Sequence, residues 1–170
     1  MFKAVHITAQ DGTPLAARYY HHADGAPLAI IFHGYRGYAE RDGLGGYTLC
    51  TALGYNVLLP DQRAHGYSGG HTITMGVKER YDARDWTVWA RSRFGPEVAD
   101  LLMGVSMGAA TVLLGRRAEP AGQRLRHCGG LRLHQPAGDH PQVPAGVSAR
   151  HAAGADLCGW TAGRDPVRPL

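Results

Sequence analysis

The chain is short of the features that would place it in a membrane or an oxidising compartment. No apolar run in its 170 residues is long enough to span a bilayer. The opening stretch MFKAVHITAQDG has no apolar signal core. The three cysteines, Cys50, Cys128 and Cys158, are odd in number and far apart, with no C-x-x-C pair, so they form neither a disulfide framework nor a zinc-site pattern. These absences lead to the expectation of a cytoplasmic, reduced protein of one domain with no membrane partner.

Scarcity sharpens after Gly115. Residues 116–170 contain no Ile, Phe, Tyr, Met, Lys or Asn, while Ala (9), Gly (8), Arg (8), Pro (6) and His (4) supply 35 of the 55 positions. Nothing in this stretch alternates like a strand or repeats at helical spacing, and Pro or Gly interrupts almost every run. Such a composition buries too little apolar area to offset the entropy of ordering it. The charge divides at the same place. Residues 1–115 balance ten Lys and Arg against ten Asp and Glu, so the whole net charge of +4 comes from the tail, where eight arginines face Glu119, Asp139, Asp156 and Asp165. Those arginines are dispersed among Pro and Gly with a single aromatic, Trp160, so nucleic acid is not expected as a partner.

What is present in residues 1–115 reads as an orderly alternation. Phe2 to Thr8 alternates as a strand, Asp11-Gly12 makes a hairpin turn, and Leu15 to Tyr20 returns. Pro27 to Phe32 is a continuous apolar strand suited to burial on both faces, and it runs into His33-Gly34-Tyr35-Arg36-Gly37. Glu40 to Leu53 reads as a helix closed by Gly54, with Cys50 as a packed thiol. Tyr55 to Leu59 is a second buried strand, followed by the loop Asp61 to Gly70, DQRAHGYSGG. Val77 to Ser92 reads as a helix with Tyr81, Val88 and Trp89 near one face. Trp86 and Trp89 are read as packing residues, and Gly95-Pro96 ends the helix. An antiparallel start followed by alternating strands and helices specifies an α/β sheet covered on both faces.

The chemistry concentrates in Val98 to Leu114, VADLLMGVSMGAATVLL. An apolar strand, Gly104-Val105-Ser106-Met107-Gly108 and a small-residue helix follow one another, matching the G-x-S-x-G turn that lifts a serine above a sheet. A side chain two residues to either side of that serine would collide with the neighbouring strand or helix, which accounts for both glycines. At the helix N-terminus the hydroxyl sits where free N–H groups and the helix dipole favour developing negative charge.

Three motifs in order, HGYRG, DQRAHGYSGG and GVSMG, make residues 1–115 resemble the N-terminal half of an α/β-hydrolase-fold serine hydrolase of the bacterial esterase-like and peptidase-like branch. The resemblance implies a mostly parallel sheet with helices on both faces, Ser106 as nucleophile, and the backbone N–H groups of Tyr35 and Met107 as the oxyanion hole. It further implies acyl transfer from a small-molecule ester, thioester or amide, with no metal or organic cofactor. It makes the Asp61 to Gly70 loop structural and has His33 hold its own loop. The acid and base of a triad would follow Ser106. Asp139, Asp156, Asp165, His127, His134, His140 and His151 have the right chemistry but no recognisable scaffold, so the triad Asp and His stay unassigned.

The fold is therefore expected to break off after the nucleophile helix, leaving the outer edge of the Ser106 strand unpaired and the chain inactive. One reading of residues 116–170 is translation out of frame, with the slip between about Gly115 and Arg126. Permitted codons for Arg126 to Pro136, begun one nucleotide later, can spell Gly, Ile, Val, Ala, Asp, Cys, Gly, Tyr, Thr, Ser, a strand-like run. The alternatives are a noncatalytic hydrolase-like fragment and a binding protein with a disordered basic arm. Substrate preference, any lid and oligomeric state are not legible.

Overall fold

The computed structural model describes residues 1–96, 98, 100–115 and 126–130. Among them the elements run β1 (Lys3–Thr8), β2 (Pro14–Tyr20), β3 (Leu28–Phe32), α1 (Ala39–Ala52), β4 (Asn56–Pro60), α2 (Glu79–Phe94), β5 (Asp100–Val105), α3 (Met107–Gly115) and β6 (Arg126–Gly130). The strands form one sheet in the order β1-β2-β4-β3-β5-β6. β1 and β2 are antiparallel to their neighbours, and β4, β3, β5 and β6 run parallel. Antiparallel start, parallel continuation and helices on both faces agree with the α/β reading of the sequence.

Side-chain alternation along the strands divides the core in two. Leu28, Ile30 and Phe32 of β3, with Leu58 and Leu102, face Ala83, Trp86 and Ala90 of α2 and Val112 of α3. Ala29 and Ile31, with Val57 and Leu59, face Ala39 and Cys50 of α1. Because β3 is covered on both sides, all five of its residues are buried, which explains why its sequence is continuously apolar. Cys50 packs in α1 as expected, its Sγ 3.6 Å from Met103 Sδ, and burial pushes its thiol pKa up to about 11.

Local chemistry sets the element ends. Gly54, at φ +82°, follows the last turn of α1. Its N–H bonds to the Thr51 carbonyl (3.0 Å), and that of Tyr55 to the Cys50 carbonyl (2.9 Å), a paired closure that needs a left-handed residue after the helix.

Two expectations are corrected. The helix read over Val77 to Ser92 runs Glu79–Phe94, and the face that carries Tyr81 and Val88 is exposed, while Asp82, Ala83, Trp86, Thr87 and Ala90 are buried. Polar residues occupy the buried face because Asp82 is paired there with Arg63. Nor is the edge of β5 open. Arg126 to Gly130 pairs with it in parallel, from Leu101↔Arg126 to Val105↔Gly130. Pairing of this kind draws on backbone N–H and C=O groups, which RHCGG supplies without apolar alternation. The remainder of the expectation for 116–170 lies outside the described residues.

Candidate active site

Ser106 joins β5 to α3 and is exposed, with φ +52°. An L-residue held in the left-handed region is strained, and this one is held by close packing on both sides. A Cβ on Gly104 would lie 2.2 Å from the Gly108 carbonyl carbon, and one on Gly108 would lie 2.2 Å from the Phe32 carbonyl oxygen. The two glycines thus let the first turn of α3 press onto the end of β5 and onto the carbonyls closing β3.

The loop after β3 lies against the serine. A Cβ on Gly34 would sit 3.5 Å from Ser106 Cβ. Within that loop most backbone donors are taken. Gly34 N–H bonds to Asp42 Oδ2 (2.9 Å), Arg36 N–H to His65 Nε2 (3.2 Å) and Gly37 N–H to the Gly34 carbonyl (3.1 Å). Among the described residues the Tyr35 amide has no acceptor, and neither has the Met107 amide, which opens α3 where helix N–H groups have no internal partner. Asp42 keeps the loop closed. Burial pushes its pKa up, but hydrogen bonds from Arg41 and the Gly34 amide outweigh burial and hold it below the usual carboxylate range.

His33 is fully buried and spends both ring nitrogens on structure. Nε2 accepts from the Gln62 backbone N–H (2.9 Å), so Nδ1 carries the proton and donates to the Gly34 carbonyl (2.8 Å). Burial lowers its pKa and keeps it neutral. His65 repeats the pattern, with Nδ1 donating to the Arg63 carbonyl (2.9 Å), and the two rings stand edge to face at 4.8 Å. Neither has a nitrogen left for proton transfer with Ser106.

The loop after β4 is consumed in the same way. Asp61 accepts both contacts from Arg18 Nη1 (3.2 and 3.1 Å). Ser68 Oγ donates to the Asp61 carbonyl (2.6 Å) and accepts from the Ala16 N–H (2.9 Å). Arg63 grips Asp82 through Nε (2.7 Å) and Nη2 (2.5 Å) and reaches Asp11 (2.8 Å). These hydrogen bonds, led by Asp82, raise its pKa.

Sequence reasoning did not single out Gln62, which ties its own loop after β4 to the loop after β3 and to α3. Its Nε2 donates to the His33 carbonyl (2.5 Å), and its Oε1 accepts from Thr111 Oγ1 of α3 (2.7 Å). Gln62 and Thr111 are 49 positions apart, and no local pattern marks the pair. Among the described residues no cluster of three His, Cys, Asp or Glu could hold a metal ion. The Asp and His candidates after Ser106 lie outside the described residues or, for His127, on a strand whose side chains are outside them.

Solved structures share this fold. The Pyrococcus furiosus esterase Pf2001 matches at 31% identity and TM-score 0.63, over 76% of this chain and 47% of that one. The fold is that of an α/β hydrolase. A putative α/β hydrolase from Agrobacterium tumefaciens, ATU1826, has the same fold at 24% identity and TM-score 0.58, over 69% of this chain and 55% of its own. The uncharacterized protein YqkD of Bacillus subtilis is 39% identical over 62 residues, which is 36% of this chain and 20% of YqkD. No family model matches. The chain spans about half the length of the Pf2001 structures it matches.

Proposed function

We propose that the chain carries the nucleophile half of a serine hydrolase acting on a small carboxylic ester, thioester or amide. Ser106 Oγ attacks the carbonyl and gives up its proton, which departs with the alcohol, thiol or amine; water then hydrolyses the acyl-serine, releasing the carboxylic acid and restoring the hydroxyl. The Tyr35 and Met107 amides receive the oxyanion, each such donor contributing about 3 kcal/mol in a working site. The reading is carried by one coincidence of geometry. A strained, exposed serine stands beside a loop in which the amide of Tyr35 has no acceptor while those of Gly34, Arg36 and Gly37 are bonded. The esterase match to Pf2001 supports the same chemistry.

None of the described residues offers Ser106 a base, so the 170-residue chain is expected to stop short of turnover. The test is incubation with a fluorophosphonate followed by peptide mass spectrometry. An adduct on Ser106, formed slowly and absent from Ser106→Ala, is expected. A second reading, a noncatalytic hydrolase-like protein, is favoured by the absence of a hydrogen-bond partner for Ser106 Oγ among the described residues. It wins if no adduct forms.

A further inference from the structure

Arg36 is a second strained residue at this site. It has φ +51°, a region where an L-residue with a long side chain pays a steric cost that glycine avoids. The conformation is fixed from outside: the Arg36 N–H is held by His65 Nε2, and His65 is held in turn by the Arg63 carbonyl. The main chain therefore needs a left-handed residue here, and the sequence places an arginine where glycine would be cheaper. A backbone outlier of this kind points towards function, because strain persists where something else requires the residue.

The side chain supplies that requirement. The Arg36 guanidinium lies 5.3 Å from the centre of the Tyr35 ring, on the residue whose amide is the candidate oxyanion donor. The neighbouring cations all have acids. Arg18 has Asp61 and Glu40, Arg41 has Asp42, and Arg63 has Asp82 and Asp11. Arg36 is exposed and forms no ion pair among the described residues. A planar guanidinium with its donors unspent is suited to binding a carboxylate or phosphate in two-point fashion.

Resting on the serine-hydrolase reading above, we propose that Arg36 is an anion subsite at the rim of the acyl site. It would select acyl substrates that carry a carboxylate or phosphate beyond the reacting carbonyl. Holding that anion beside Tyr35 would also orient the carbonyl oxygen towards the Tyr35 and Met107 amides.

The test is a titration of the whole 170-residue chain by two-dimensional NMR, using mono-hexyl succinate and its neutral hexyl methyl diester. The Tyr35 and Met107 amide shifts report binding. The half-ester is expected to bind about fivefold more tightly at about 20 mM salt, the upper end for an exposed ion pair, with the advantage lost near 0.5 M. Arg36→Gly should bind the two esters equally while melting about 2–4 °C higher, because the backbone strain is relieved. Arg36→Asn, which also tolerates the left-handed region, should lose the preference too. Equal binding of both esters by the native chain, or a preference retained in both variants, overturns the anion subsite alone. If neither ester moves the two amides, the acyl site itself fails and the subsite with it.

Discussion

Replacing Ser106 by glycine separates the strain at this position from its chemistry. Left-handed backbone at φ +52° favours glycine by about 1 kcal/mol, so Ser106→Gly should raise the urea midpoint while abolishing the phosphonate adduct. A variant that loses stability instead would show that the hydroxyl holds the turn. The glycines beside it behave in the opposite sense. A Cβ on Gly108 meets backbone oxygen at 2.2 Å, and backbone cannot move aside as a side-chain tip can. Gly108→Ala is therefore expected to cost about 2–3 kcal/mol in equilibrium unfolding. Gln62 is read by the same logic. Gln62→Leu leaves the His33 carbonyl without its side-chain donor and the Thr111 hydroxyl with only the Met107 carbonyl (3.2 Å) in a buried site, a loss of about 1–3 kcal/mol. In a double-mutant cycle with Thr111→Val, part of that loss should not add.

Among the elements, α2 and the loop after β4 depend on one buried ion pair. Arg63 and Asp82 are both nearly inaccessible, and the pair fixes the loop to the helix. Asp82→Asn leaves the buried Arg63 with only the half-exposed Asp11 as its acid, and burial already raises the Asp82 pKa, so a loss of about 1–3 kcal/mol is expected in urea unfolding. The loop after β3 adds a pH dependence. Because burial lowers the His33 pKa from its ordinary 6.5, the unfolded chain takes up the proton first as pH falls. The stability His33 contributes is complete above about pH 6.5 and is lost as pH falls from there towards the lowered folded value. Urea midpoints at pH 7.5 and 5.5 should show this decline, and His33→Asn should flatten it.

The elements also differ in how far the sequence announces them. The GVSMG turn is legible because the collision that would follow from any side chain at 104 or 108 is written directly into residue type. The continuous apolar run of β3 is legible for a related reason, since two covered faces leave no room for alternation. The inner face of α2 is not legible, because Asp82 and Thr87 are buried through partners far away in sequence and Val88 is left outside. β6 gives no signal at all, since RHCGG pairs through its backbone. At the site, the turn holding Ser106 was readable, whereas the hydrogen bonds that occupy the Gly34, Arg36 and Gly37 amides depend on Asp42 and on His65, 29 residues beyond Arg36.

For the molecule as a whole, the sharpest question is the reading frame after α3. The position at which β6 pairs, 126–130, is the start of the window in which the neighbouring frame can spell an apolar strand. If the frame has slipped, sequencing the gene across codons 110 to 135 will reveal one nucleotide gained or lost. The corrected product should then carry its acid and base downstream and turn over esters. An uninterrupted frame in the gene and in relatives of the same length would refute the slip and leave binding as the role to be sought.

The strand order fixes which end of the sheet carries the two loops of the candidate site. From β3 the chain crosses by α1 on one face to β4, then returns by α2 on the other face to add β5 on the far side of β3. The loops leaving β3 and β5 therefore part towards opposite faces above the carboxyl ends of two adjacent parallel strands, the kind of switch point at which open α/β sheets take their ligands. That divergence is a property of the winding and owes nothing to the identity of Ser106 or Arg36. Chemistry at those positions could be rewritten entirely, and the two loops would still part at the same point of the sheet.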